Sequence, residues 1–332
     1  MSGQATSLRG RPVVALCGGV GGAKLALGLE RLIGADLTVI VNTGDDFEHL
    51  GLHVSPDIDT VVYTLGGLSD LERGWGRADE SWNFMEAMGG LGGETWFRLG
   101  DRDLAMHVER SRALRGGMSL TEFTAATARR LGIAARILPM SDDRVETMVI
   151  TSDGALPFQR YFVGLQCAPV VKRLEFKGAE RAAATGQVLA ALRHPDLAAV
   201  IVCPSNPYLS VDPILAVAEI RKELDKVTAP IIAVSPLIGG QAVKGPTAKI
   251  MAELGVPADT TSIARHYPFI DGLIIDEADR AEAGKVDLPV LVTATLMRSL
   301  DDRDRLAGEC LEFAGRLAEA AARGDALRRT AR

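Results

Sequence analysis

The stretch VVALCGGVGGAKLALGLERL, Val13 to Leu32, constrains this chain more than any other. Apolar residues run straight into four glycines within five positions, then a lysine, then an amphipathic run. A continuous apolar strand that passes through glycine into a helix is the opening unit of a parallel sheet covered on both faces. The unit recurs. Strand candidates are PVVALCG (Pro12 to Gly18), LTVIVNT (Leu37 to Thr43), AAVIVCP (Ala198 to Pro204), PIIAVSP (Pro230 to Pro236), GLIIDE (Gly272 to Glu277) and PVLVTAT (Pro289 to Thr295). Helical patterns run over Ala23 to Ile33, over Ile214 to Leu224 and through the C-terminal DRDRLAGECLEFAGRLAEAAARG, and IDTVVYTLGG reads as a helix entered from an acidic cap. This order predicts an α/β fold, a doubly wound, Rossmann-like parallel sheet.

The middle of the chain breaks the rhythm. SLTEFTAATARRLGI carries a Ser-x-x-Glu capping box at Ser119 and Glu122. VITSDGALPF reads as two short strands around an Asp-Gly turn. The expected organisation is a Rossmann-like core over 10–110 and 190–325, with a smaller α+β insertion over 111–189.

A chain of 332 residues buries a large core without covalent staples. The net charge of −6 offers no electrostatic footprint for a nucleic-acid backbone. Cys17, Cys167, Cys203 and Cys310 form no Cys-x-x-Cys pair, so they read as small buried hydrophobes in a reducing compartment. The first residues, MSGQATSLRGRP, hold no apolar targeting core, and no apolar run reaches the roughly 18 residues of a membrane span. The expectation is a cytoplasmic protein with neither nucleic-acid nor membrane partners.

GGVGGAK between a strand and a helix suits a phosphate. Glycine lets backbone N–H groups approach closely, and the helix N-terminus adds partial positive charge. Gly18, Gly19, Gly21, Gly22 and Lys24 are the candidates. The loop is neither a Walker A sequence nor a GxGxxG fingerprint. NTGDDFEHLGLHVSPDIDT, Asn42 to Thr60, follows the second strand with Asp45, Asp46, Glu48, Asp57 and Asp59. Hard carboxylate oxygens beside a phosphate are what magnesium requires, although Asp59 can also cap a helix and Asp45 and Asp46 can fill a turn. His49 and His53 read as surface or supporting residues. FRLGDRDLAMHVERS interleaves Arg98, Asp101, Arg102, Asp103 and His107, a pattern for an anion and a metal or for a surface ion-pair network. MSDDRVET repeats the acid-acid-arginine theme, and PSNP and SPLIGGQAVKGP, with Lys244, add polar loops after two later strands. Together these describe a composite pocket at one sheet edge.

GGVGGAK, VNTGDD, SPDIDTVVYTLGG, RGWGRADESW, LGDRDLAMH, LPMSDDRVET, PSNPYLSVDPIL and VSPLIGGQAVKGP, in this order, resemble the 2-phospho-L-lactate transferase (CofD-like) family from about Val13 to Leu296. The resemblance implies a magnesium-dependent transferase of coenzyme F-420 biosynthesis. Such an enzyme moves a phosphoenolpyruvyl, 2-phospholactyl or 3-phosphoglyceryl group from a guanylyl diphosphate donor to the deazaflavin alcohol Fo, and GMP leaves. It also implies a homodimer and, through GGVGGAK, the bacterial donor type. Asp59 and Arg98 match the family's deazaflavin-contacting positions. Asp45, Asp46 and Asp57 are the metal candidates; Asp59, Asp46 and Asp57 are the catalytic ones. Gly18, Gly19, Gly21, Gly22, Lys24, Ser205, Asn206 and Gly240 are the guanylyl diphosphate set. An Asp59 facing the pocket implies that Asp59→Asn spares folding. Two other readings compete: a nucleotide-binding regulator of the gluconeogenesis-factor type, and a nicotinamide-dependent dehydrogenase with its ribose on the acids after the second strand.

Overall fold

The structure, a computed structural model, describes residue 8 and residues 10–70, 72–243 and 245–330. Lys244 lies outside the described residues. Seven strands form one sheet: β1 (Val13–Cys17), β2 (Leu37–Val41), β3 (Arg136–Pro139), β4 (Ala199–Val202), β5 (Ile231–Val234), β6 (Gly272–Ile275) and β7 (Val290–Val292). Their order is β7-β6-β5-β4-β1-β2-β3, and every pairing is parallel.

Alternation along β1 divides the core. Val14 and Leu16 join one apolar cluster, and Val13, Ala15 and Cys17 join the other. Both sets are buried, which is why the strand reads as an unbroken apolar run. The second face is covered by α1 (Gly19–Ile33), α2 (Pro56–Leu65), α4 (Leu120–Arg130) and α5 (Leu300–Thr330), with α3 (Asp101–Arg115) against α4. Among the described residues, no helix is long and apolar enough to cross a membrane.

The chain starts in the middle of the sheet, builds outward to β3, then crosses to β4 on the other side of β1. The chain leaves β1 and β4 for opposite faces of the sheet, which makes their ends the switch point, where open α/β sheets bind ligands. The crossing carries a three-stranded antiparallel layer, Gly154–Pro157, Glu146–Thr151 and Val171–Lys177. The Asp-Gly hairpin read from VITSDGALPF is its first pair. Ser119 and Glu122 form the expected capping box on α4.

Two sequence expectations change. The stretch 111–189 is not wholly an insertion, because α4 packs on β3 and β3 completes the parallel sheet; the antiparallel layer starts only after it. RILP is too short to show a period of its own, and pairing to β2 decides its place. The helix over Ile214 to Leu224 is two, Asp212–Ala216 and Ala218–Leu224, divided where Val217 turns to an extended backbone.

Candidate active site

The glycine loop is built for close approach. Gly19 opens α1 at φ +63°, a conformation L side chains rarely adopt. A Cβ on Gly21 would lie 2.4 Å from the Pro204 carbonyl oxygen, and one on Gly22 would lie 2.5 Å from Ser205 Oγ. The loops after β1 and β4 thus touch at the switch point. Ser205 fastens them: its hydroxyl accepts from Gly18 N–H at 3.1 Å and donates to the Gly18 carbonyl at 2.7 Å. Asn206 Oδ1 accepts from Tyr208 N and Leu209 N and so shapes its own turn. Lys24 Nζ donates to the Met297 carbonyl at 3.0 Å, tying α1 to the loop before α5. Gly239 N–H and Gly240 N–H donate to the carboxylate of Asp279, which holds that turn closed.

The acids after β2 separate into three environments. Asp45 and Asp57 converge: both accept from the Asn42 side-chain amide, Asp57 at 2.9 Å. Asp57 also accepts from Gly19 N–H at 2.7 Å, so a carboxylate sits on the positive end of α1. Burial pushes the Asp57 carboxyl up to about 6. Burial and the neighbouring Asp57 charge push Asp45 well above the usual carboxylate range. Asp46 turns aside. It accepts from the Ser55 hydroxyl at 2.7 Å and pairs with His53 at 3.2 Å, and its other oxygen, Oδ1, is buried with no partner among the described residues. Asp59 faces neither group. Its carboxylate is held by the Arg110 guanidinium inside the α2–α3 contact.

Among the described residues no three His, Cys, Asp or Glu side chains gather as a metal site. Magnesium does not need three, since it binds through one or two carboxylates plus substrate phosphates. Asp45 and Asp57, two buried hard-oxygen donors beside the phosphate-suited end of α1, fit that requirement. Asp46, directed to Ser55 and His53, stands apart from the pair.

The GDRD segment is mostly architectural. Glu80 accepts from Arg102 N–H and Asp103 N–H at the start of α3. Asp101 returns the arrangement, accepting from Asn83 N–H and Phe84 N–H of the helix Asn83–Gly90. The Ser81 hydroxyl and the Asn83 amide hold the Asp101 carboxyl down to about 2. Arg98 is exposed and stacks over Trp82, its guanidinium 4.0 Å from the ring centre. Asp59 and Arg98 therefore have separate partners in this structure.

A cleft of about 330 Å³ opens beside Asp45 and Asp46. The antiparallel layer contributes Arg144, Thr147, Phe158, Gln159 and Arg160, and Phe47 and Trp96 complete an aromatic wall. Arg144 and Thr147 lie in MSDDRVET and Arg110 in FRLGDRDLAMHVERS, whereas Trp96, Phe158, Gln159 and Arg160 lie outside the candidate site motifs. The layer's fold over the sheet edge brings in Phe158, Gln159 and Arg160, and α3 brings Arg110 to Asp59. His49, expected near the surface, is 3% exposed and packs against Trp96 and Phe97.

The comparisons with known proteins agree with this architecture. A family model described as "2-phospho-L-lactate transferase CofD" matches residues 13–292. A phosphoenolpyruvate transferase of Kitasatospora aureofaciens is 43% identical over 284 residues, covering 83% of this chain and 88% of the relative. One from Streptomyces griseus is 39% identical over 313 residues, covering 91% and 98%. A solved structure of a UPF0052 family protein from Bacillus halodurans superposes with a TM-score of 0.59 at 16% identity, covering 91% of this chain and 98% of that one, which shows a shared fold. With a family match that spans the sheet from β1 through β7 and includes Asp45, Asp57 and the cleft beside them, the chain belongs to the CofD family.

Proposed function

We propose that this protein transfers a phosphoenolpyruvyl group from a guanylyl diphosphate donor to the ribityl hydroxyl of the deazaflavin Fo, releasing GMP, in coenzyme F-420 biosynthesis. The observation that carries the reading is the buried Asp45–Asp57 pair at the N-terminus of α1, opening beside a cleft that holds Asp46. The relatives named phosphoenolpyruvate transferase support the donor type.

Phosphoryl transfer asks a protein mainly for positioning and charge stabilisation. The diphosphate lies at the switch point, along the glycine loop and the loop after β4. Asp45 and Asp57 would hold the magnesium, which would neutralise charge on the phosphates. The Fo hydroxyl attacks the phosphorus that bears the enolpyruvyl group. The new O–P bond forms as the bond to GMP breaks, and Asp46 accepts the hydroxyl proton. Burial raises the Asp46 carboxyl and so makes it a better base, and its Oδ1 has no competing partner among the described residues.

The test is a transfer assay with magnesium, Fo and, separately, the enolpyruvyl, lactyl and glyceryl donors. Mass spectrometry reads the new phosphodiester and GMP. Product with the enolpyruvyl donor supports the reading, and product with another donor corrects the substrate. Tight nucleotide binding without product from any donor replaces it with a nucleotide-binding regulator.

A further inference from the structure

His53 and Ser55 converge on one atom of Asp46. The Ser55 hydroxyl donates to Asp46 Oδ2 at 2.7 Å, and His53 Nε2 lies 3.2 Å from the same oxygen and 3.1 Å from Ser55 Oγ. A carboxylate oxygen only accepts, so Nε2 carries the proton and the imidazole is a donor at this point. The other oxygen, Oδ1, is buried without a partner among the described residues. The two oxygens of Asp46 are therefore not equivalent. A carboxylate held at neither oxygen turns about its Cβ–Cγ bond and presents either one. Two donors on Oδ2 stop that rotation and leave Oδ1 as the oxygen that lacks a donor.

Contacts from distant segments place His53. It stands in a hairpin, Phe47–His49 against Leu52–Val54, opposite Glu48. Leu50 and Gly51 turn the hairpin at φ +51° and +71°, a two-residue turn whose positive φ values suit the twist of the strands. The His53 N–H donates to Ser111 Oγ at 2.7 Å, and the His53 carbonyl accepts from Arg110 Nη1 at 3.4 Å. α3 thus fixes the backbone of His53, and Arg110, which also holds Asp59, ties that anchor to α2. The imidazole is 30% exposed, so its pairing with Asp46 adds little to stability. Its consequence is geometric.

On the functional reading above, in which Asp46 accepts the proton of the attacking hydroxyl, we infer that His53 is a positioning residue for that base. His53 and Ser55 hold Oδ2, so Oδ1 takes the proton as the new O–P bond forms and the bond to GMP breaks. His53 acts through Asp46 and adds no binding contact of its own. Its removal therefore lowers kcat and leaves KM in place.

The experiment compares wild-type protein with His53→Leu, His53→Asn and His53→Gln in the transfer assay with magnesium, beside a GDP titration and a thermal melt of each. A glutamine amide reaches the position of Nε2, whereas an asparagine amide stops short of it. His53→Leu and His53→Asn are expected to lower kcat about tenfold, with KM for Fo and GDP affinity within about twofold of wild type. His53→Gln is expected to recover kcat to within about threefold of wild type, because it restores a donor to Oδ2. A merely structural role would not follow the reach of the side chain. Equal activity of the Asn and Gln variants, an unchanged kcat in both His53→Leu and His53→Asn, or a loss confined to KM overturns the assignment while the transfer reading stands. Should His53→Leu melt far below wild type, the comparison of Asn with Gln decides alone. No transfer by wild type with any donor overturns the functional reading, and the role of His53 falls with it.

Discussion

Arg110 and Asp59 meet in the protein interior, Arg110 Nη1 donating to Asp59 Oδ2 at 3.1 Å while Nη2 engages the other carboxylate oxygen. Arg110 is 1% exposed and Asp59 6%, so the pair is a buried, bidentate link between α2 and α3. This overturns the expectation that Asp59→Asn leaves folding intact. Removing one partner strands the other charge in low dielectric, which costs about 3–5 kcal/mol. Chemical denaturation should show a loss of that size for Asp59→Asn. A double variant, Asp59→Leu with Arg110→Met, should recover most of it. A loss below about 1 kcal/mol would show that the pair is solvated in solution.

Gly21→Ala probes the switch point. The added Cβ meets the Pro204 carbonyl oxygen, backbone that no rotamer change can move. The expected outcome is a loss of about 1–3 kcal/mol and weakened nucleotide binding, because the two loops must separate. Calorimetric titration with GDP beside a thermal melt checks both.

Asp57 gives the protein a pH signature. Burial raises its carboxyl to about 6 from an ordinary 3.8. The folded state therefore binds the proton more tightly than the unfolded chain. The stabilisation is complete below about pH 4 and is lost as pH rises through about 6. In metal-free buffer, Asp57 should lower wild-type stability by roughly 3 kcal/mol between pH 4 and pH 8. Asp57→Asn should remove that component of the slope. Urea denaturation of both proteins across the range measures it, and identical slopes would refute it.

Glu80 and Asp101 cap each other's helices. Glu80→Ala leaves Arg102 N–H and Asp103 N–H without their acceptor and should cost about 1 kcal/mol. Hydrogen exchange should then show faster opening confined to the first turn of α3, and a global loss of protection would contradict the local role.

The sheet was legible because its strands are buried on both faces: such strands show as unbroken apolar runs, and five of the six candidates begin or end in glycine or proline. β3 escaped because RILP looks like any short apolar stretch until β2 pairs with it. The acids were legible as a cluster, since Asp45, Asp46, Asp57 and Asp59 lie within fifteen positions. Their division was not. Asn42 draws Asp45 and Asp57 together, Ser55 and His53 take Asp46, and Arg110, 51 residues along the chain, takes Asp59.

The sequence by itself determined the layered α/β architecture, the glycine turn at the switch point and the family, because these depend on local periodicity, backbone freedom and the order of motifs along the chain. Only the tertiary structure decided which carboxylates share a site and which are consumed in the core. Only it set Thr147 and Gln159 into the cleft beside Asp46. Those outcomes depend on burial and on contacts between distant segments: α3 carries Arg110 to Asp59, and the antiparallel layer docks through Thr147 on the loop after β2.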